Sequence, residues 1–151
     1  MKTLVLQSNK ESLASVEDFL GVLCDEMHIN NYYATISVPI LHAVENAIVH
    51  GNNNDPQKKV LIHYGECRGG LSFAIEDEGN GFDYSDCGSL TGDTCSGEGL
   101  FLMKMLSDKL EFLNNGSTVR MEFAIGGVDA AHVHQRIATL NAYYKIEEIE
   151  A

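Results

Sequence analysis

The stretch Asp77-Glu78-Gly79-Asn80-Gly81-Phe82 directly follows a strand pattern, and the rest of the chain is organised around it. A carboxylate at a strand end followed by glycines allows the backbone to approach a flat ring closely. An ionised Asp77 only accepts hydrogen bonds, so it can receive those of the adenine amino group. Taken alone, such a stretch is far more often a turn than a functional site.

Two further stretches lie on either side of it in the chain. Asn46-Ala47-Ile48-Val49-His50-Gly51 ends an apolar helical pattern, and the side-chain oxygen of Asn46 is a suitable ligand for Mg²⁺ beside phosphates. Gly97-Glu98-Gly99-Leu100 begins another helical pattern, where free backbone N–H groups form a cradle for phosphate. Each stretch alone has an ordinary structural interpretation. Their order around one long glycine-rich loop, residues 79–97, favours a functional site.

The apolar patterns predict the element order β-α-α-β-β-loop-α-β-β-α. Because the strands come in hairpins, we expect an α+β two-layer sandwich, with a mixed, mostly antiparallel sheet and helices on one face. The predicted elements are a strand at 2–7, a helix from its cap at Ser8 or Asn9 to Asn30-Asn31, a helix at 37–50 with Ser37 as cap and Pro39 in its first turn, strands at 60–64 and 71–75 joined at Gly69-Gly70, a helix at 99–108, strands at 110–113 and 119–125, and a weakly helical tail at 129–144.

Composition limits the function. The 151 residues include 22 acidic and 10 basic ones, a net charge of −12, and 44% are hydrophobic, which suits one domain with a real core. The acidic balance argues against direct binding of nucleic acid or of an anionic membrane surface. The apolar run Leu4-Val5-Leu6 is too short for a signal peptide, and no stretch is long enough to span a membrane, so a cytoplasmic location is expected.

The four cysteines support the same compartment. None of them has C-x-x-C spacing, which excludes a zinc ribbon or a thioredoxin motif. Free thiols in a reducing cytoplasm are expected, and a disulfide between Cys87 and Cys95 is the less favoured alternative.

Together, the three stretches resemble the N, G1 and G2 boxes of the Bergerat-fold ATPases, and they are most similar to those of the anti-sigma factor serine/threonine kinases. Asn46-Ala47 with His50-Gly51 matches the N-box, and Asp77-x-Gly79-x-Gly81-Phe82 matches the adenine box. Gly97-x-Gly99-Leu100 matches the phosphate box. Gly116-Ser117-Thr118-Val119 resembles the closing segment, whose hydroxyl helps to bind adenine through water.

The resemblance implies a histidine kinase-like ATPase domain at 1–126 and a helical C-terminal extension at 127–151. It implies ATP and Mg²⁺ as cofactors, with residues 79–97 as a lid. The implied partners are a sigma factor and an anti-anti-sigma protein of the STAS type, which are exchanged to regulate transcription, and a homodimer is a further expectation. The implied nucleotide-binding residues are Asn46, which also binds the metal, Asp77, Gly79, Gly81, Gly97, Gly99, Leu100, Ser117 and Thr118.

Two positions depart from the family pattern. The family usually has a glutamate, its general base, four residues before the N-box asparagine, and here that position is His42. Glu45 lies about 100° further round the helix and cannot take that place. Glu98 stands where the family often has arginine, and a carboxylate repels a triphosphate unless a metal lies between them.

His42 has three interpretations. It is a general base, a metal or phosphate contact, or a structural polar residue in a site that binds ATP without turning it over, and we slightly favour the last. Spacing of four residues places His42 and Asn46 on one helix face, so His42 is predicted to point into the nucleotide pocket. His50 suits the helix dipole and is interpreted as structural.

The predicted function is therefore an ATP-dependent serine/threonine kinase of the anti-sigma type. The alternative is a non-catalytic ATP-binding protein that sequesters a partner. A detached histidine-kinase catalytic domain is less favoured, because no helix pair with a phospho-accepting histidine precedes the domain.

Overall fold

A five-stranded sheet forms the centre of the computed structural model, which describes residues 1–80, 97–125 and 138–143. The strand order is β1-β2-β3-β5-β4, and every neighbouring pair is antiparallel. The predicted α+β architecture is confirmed. The strands are β1 (Lys2–Gln7), β2 (Lys59–Cys67), β3 (Gly70–Glu76), β4 (Lys109–Leu113) and β5 (Thr118–Ala124).

Three helices pack against the side of the sheet that carries the apolar residues. They are α1 (Glu11–Glu26), α2 (Tyr33–Asn46) and α3 (Gly97–Leu106), and a π-helical turn at Ala47–Gly51 continues α2. Alternate strand residues point to this side because side chains in a strand alternate between the two faces. The fully buried side chains at the centre of this core include Leu20, Ile36, Ile40, Ile62, Phe73 and Phe123.

The start of α2 was predicted wrongly. The helix begins at Tyr33, and both Ser37, the predicted cap, and Pro39 lie inside it. Proline removes the N–H that would bond to the carbonyl of Thr35, which is why the pattern was expected to begin later. Burial outweighs this loss, because Ile36 and Ile40 on either side of the proline are both completely buried.

The first helix begins at Glu11 with Lys10 as its cap residue, one position beyond the predicted Asn9, and it ends earlier than predicted. Asn9 Oδ1 accepts a hydrogen bond from the N–H of Ser12 at 3.1 Å, which satisfies one of the unpaired donors of the first turn. Ser8, the other predicted cap, instead donates its hydroxyl to the carbonyl of Lys58 at 2.8 Å. The helix ends at Glu26, and His28 adopts a left-handed φ of 58°.

A second, smaller apolar cluster lies apart from the main core. Val38 of α2 packs with Leu102 and Leu106 of α3, and Leu140 and Tyr143 of the helical segment 138–143 cover them. The C-terminal extension therefore contacts the helix layer at this cluster.

Several predicted features lie outside the described residues. These are Gly81 and Phe82, most of the lid, both cysteines of the considered disulfide, and residues 126–137 and 144–151 of the tail. Across the ranges that are described, none of the helices combines the length and apolar character needed to cross a membrane.

Candidate functional site

Asp77 directly follows β3, and its carboxylate is held in place by the backbone. Oδ1 accepts the N–H of Gly79 at 2.8 Å, and the N–H of Asp77 donates to the carbonyl of Ser117 at 2.9 Å. Burial raises the pKa of Asp77, and the neighbouring charge of Glu76 adds to the rise, while the hydrogen bond from Gly79 works against it. Within the described part of the chain, the hydrogen bond to the carboxylate is made to Oδ1.

The carboxylate lies directly against Gly51, the glycine at the end of the π-helical turn. A Cβ on Gly51 would lie 2.3 Å from both Cγ and Oδ2 of Asp77. A Cβ on Gly79 would lie 2.1 Å from the carbonyl oxygen of Gly51. Both distances exclude any side chain, so the two motifs fit together only because each contributes a glycine here.

Asn52 organises the site, and the sequence reasoning missed it. Its side chain is completely buried, and Nδ2 donates to the hydroxyl of Ser8 at 2.9 Å and to the carbonyl of Lys59 at 3.0 Å. Oδ1 accepts the N–H of Glu78 at 2.8 Å. One amide therefore joins the end of β1, the start of β2 and the loop after β3.

The feature of the sequence that could have indicated the role of Asn52 is its position directly after Gly51, the last residue of the predicted N-box. The run of three asparagines was interpreted only as a helix end, where left-handed residues are common. Asn53 and Asn54 do adopt left-handed φ angles of 52° and 58°, but Asn52 does not.

Asn52→Ala is expected to lower the free energy of unfolding by about 1–3 kcal/mol for each polar group that it leaves unpaired. Those groups are the N–H of Glu78 and the carbonyl of Lys59. Urea denaturation measures the loss. Asn54→Gly is the matched control, because glycine adopts the left-handed conformation of that exposed residue without strain. Equal effects of the two substitutions would contradict the role given to Asn52.

Ser117 and Thr118 lie beside Asp77, as the predicted site requires. Thr118 is paired with Glu76 across β5 and β3, and it is 6% exposed. Its hydroxyl accepts a hydrogen bond from Asn114 Nδ2 at 3.3 Å. The Ser117 hydroxyl is exposed and donates to the carbonyl of Asn114 at 2.9 Å. The structure therefore brings two hydroxyl groups to the end of the strand next to the carboxylate.

The predicted phosphate and metal residues lie on the two helices that pack against each other, α2 and α3. Asn46 is the last residue of α2 and is 6% exposed. Gly97 begins α3, and Gly99 lies in its first turn, where backbone N–H groups have no partner within the helix. Leu100 is 2% exposed, so its side chain anchors α3 in the interior and only its backbone can face a ligand.

His42 lies on the side of α2 that faces away from the core. Its Nε2 is 3.2 Å from the hydroxyl of Tyr143, and the two rings meet edge to face with centroids 5.7 Å apart. The surrounding cleft has a volume of about 260 Å³ and is lined by Leu13, Glu17, Val38, Leu41, His42, Glu45 and Tyr143. Asn46 does not line this cleft, so a common pocket for His42 and Asn46 stays a prediction.

The residues present fit an adenine nucleotide. Asp77 offers an oriented acceptor for the adenine amino group, the start of α3 offers backbone donors for phosphate, and Asn46 offers one oxygen to a cation. Within the described ranges no three His, Cys, Asp or Glu side chains are grouped to hold a metal.

Comparison with known proteins agrees with this geometry. The model of the histidine kinase-like ATPase domain family matches residues 7–123, a span that includes Asn46, Asp77 and Thr118. The serine-protein kinase RsbW of Bacillus subtilis (strain 168) is 30% identical over 132 residues, which cover 80% of this chain and 79% of that protein. The serine-protein kinase RsbW of Bacillus velezensis (strain FZB42) is 27% identical over 132 residues, with the same coverage of both chains.

Proposed function

This chain belongs to the histidine kinase-like ATPase domain family, and we propose that it is an ATP-dependent serine/threonine protein kinase of the anti-sigma factor type. The observation that carries the proposal is the half-buried Asp77 carboxylate, which accepts the N–H of Gly79 and lies directly against Gly51. Two relatives that are serine-protein kinases support the reaction class.

The chain's own residues would bind and orient the nucleotide. Asp77 accepts the adenine amino group, the backbone at Gly97 and Gly99 donates to phosphate oxygens, and Asn46 binds Mg²⁺. ATP supplies the phosphoryl group, and Mg²⁺ offsets its negative charge when both are bound. Leu100 and Thr118 support this arrangement from buried positions.

The proposed acceptor is a serine on an anti-anti-sigma protein in the cytoplasm, and the competing partner is a sigma factor. In this proposal, exchange between the two partners regulates transcription. The net charge of −12 favours a partner with a basic face. The division into an ATPase domain at 1–126 and an extension at 127–151 is part of the same proposal.

One observation favours a second candidate function, an ATP-binding protein that sequesters its partner without catalysis. The family's general-base position is His42, and its Nε2 is in hydrogen-bond contact with Tyr143. When the Tyr143 hydroxyl donates to that nitrogen, the nitrogen cannot accept the proton of an attacking serine.

Calorimetry with Mg-ATP tests nucleotide binding, and absence of binding at millimolar ATP would overturn both candidate functions. Transfer of labelled phosphate to an anti-anti-sigma protein then separates them. If His42 is the base, His42→Ala is expected to slow transfer about 100-fold with ATP binding retained, since general-base catalysis contributes at least that much. Tyr143→Phe is the matched control, because it keeps the imidazole and removes only the hydroxyl next to its Nε2.

The opposite result assigns the second function. It consists of a wild-type protein that binds ATP and transfers no phosphate, together with a His42→Glu variant that transfers phosphate. In that case the fold and the nucleotide site are intact, and the kinase assignment is wrong.

A further inference from the structure

We propose that the small apolar cluster formed by Val38, Leu102 and Leu106 is a docking surface for a basic amphipathic helix of a protein partner. In the free protein, residues 138–143 of this chain occupy that surface, and the partner displaces them. The inference deepens the proposed function by describing the kind of partner segment. The inference rests on the proposed function in one respect, that the partner is a protein. Its test uses no nucleotide.

The chain's own segment shows which chemistry the surface accepts. Leu140 and Tyr143 are three residues apart on a helical turn, which places both on one face, and both contact the cluster. Val38, Leu102 and Leu106 are at most 4% exposed beneath them, although they lie apart from the main core. Recognition of an amphipathic helix through anchors at this spacing is a common mode of peptide binding.

Beside Tyr143, the segment leaves a cleft of about 260 Å³ open. Leu13 and Leu41 give the cleft apolar walls, and the exposed residues Glu17 and Glu45 add carboxylates at its edge. Apolar walls with carboxylates at the rim suit a lysine or arginine, whose aliphatic stem packs on the walls while its charged group meets the carboxylates. A basic partner helix would therefore fill space that the chain's own segment does not.

Displacement has a consequence at His42. Tyr143 provides both the covering ring of the cluster and the hydroxyl next to His42 Nε2. A partner helix that replaces residues 138–143 removes that hydroxyl from the imidazole. Docking at this surface is thus linked to the residue that stands at the family's general-base position.

The test titrates the full chain, without nucleotide, against a fluorescent amphipathic helical peptide made of leucine and lysine. Leu140→Asp is expected to increase affinity roughly tenfold, because the variant no longer fills its own surface. Glu17→Gln with Glu45→Gln is expected to weaken binding roughly fivefold. The matched control is Glu26→Gln with Glu66→Gln, two exposed residues whose replacement changes net charge equally. A leucine and glutamate peptide is expected not to bind.

Three results would overturn the proposal. They are equal weakening by the two pairs of glutamine variants, unchanged or weaker binding in Leu140→Asp, and equal binding of the acidic peptide. The imidazole NMR signals of His42 give a second readout, because the basic peptide and Leu140→Asp should shift them in the same direction. If Leu140→Asp does not fold, Leu140→Ala takes its place in both measurements. Failure of this proposal leaves the proposed ATP binding untouched, because the test contains no nucleotide.

Discussion

Asp77→Asn is expected to weaken ATP binding about 10- to 100-fold, the effect of losing a hydrogen bond to a charged group worth roughly 1.5–3 kcal/mol. The amide oxygen of asparagine can still accept the N–H of Gly79. Its NH₂ group then takes the place of Oδ2 and faces the adenine amino group, and two hydrogen-bond donors do not pair. Calorimetry of the variant and the wild type with Mg-ATP measures the change.

The same substitution is expected not to lower the free energy of unfolding at neutral pH. Burial raises the pKa of Asp77 above its ordinary value of 3.8, so the folded state holds this proton more tightly than the unfolded state does. The contribution of Asp77 to stability therefore falls as pH rises from below 3.8 through the raised pKa. Asparagine does not ionise, so the variant should lack this part of the pH dependence in urea denaturation.

Glu76→Gln is the matched control for Asp77. Glu76 is the preceding carboxylate, and its Oε2 contacts His63 Nε2 at 2.9 Å instead of facing Gly51. Its loss should leave the affinity for ATP unchanged within about twofold, because it lies outside the proposed site. Equal losses of affinity in Asp77→Asn and Glu76→Gln would show that general charge, and not the adenine contact, controls binding.

Gly51→Ala and Gly79→Ala are expected to abolish ATP binding and to lower the free energy of unfolding by about 1–3 kcal/mol each, the usual cost of overpacking. The new methyl group at Gly51 would lie 2.3 Å from the Asp77 carboxylate, and the one at Gly79 would lie 2.1 Å from a backbone oxygen. The neighbour of Gly79 is backbone and that of Gly51 is the Asp77 carboxylate itself, so either substitution must displace the loop or the carboxylate.

Two other glycines separate stability from binding. A Cβ on Gly70 would lie 1.9 Å from the carbonyl oxygen of Phe123, so Gly70→Ala should destabilise the sheet but keep the affinity of the folded protein for ATP. A Cβ on Gly21, inside α1, meets nothing within 4 Å. Gly21→Ala should therefore raise the free energy of unfolding by up to about 1 kcal/mol.

Retained ATP binding in Gly51→Ala would refute the close fit between the two motifs.

The order of apolar, polar and turn residues over a few positions was sufficient to predict those parts of the fold that depend on residues adjacent in sequence. The strand-loop junction at Asp77 and the glycine turn between β2 and β3 were predicted because alternation and turn residues determine them within a few positions. The start of α2 was not, because the burial of Ile36 and Ile40 against distant strands decides whether Pro39 is tolerated.

Contacts between distant segments were equally beyond sequence reasoning. Asn52 bonds to Ser8 and to Glu78, and nothing in the chain near position 52 indicates either partner. The contact of His42 with Tyr143 joins residues 101 positions apart. Spacing along α2 puts His42 and Asn46 four residues apart on the helix, but it could not reveal that Tyr143 contacts His42.

The pairing of β1 with β2 has a consequence for the order of folding. Among the described strands, β1 pairs only with β2, with Lys2 opposite Tyr64 and Gln7 opposite Lys59, so a long stretch of chain must be enclosed before it docks. Closing a long loop costs more entropy than forming the hairpin of β2 and β3, so we expect the first strand to join late. Until it docks, Ser8 is not in place to bond Asn52. β1, which leaves the ribosome before β2, is then among the last strands to reach its final position, and a partly folded chain lacks the Ser8–Asn52 contact beside the proposed nucleotide site.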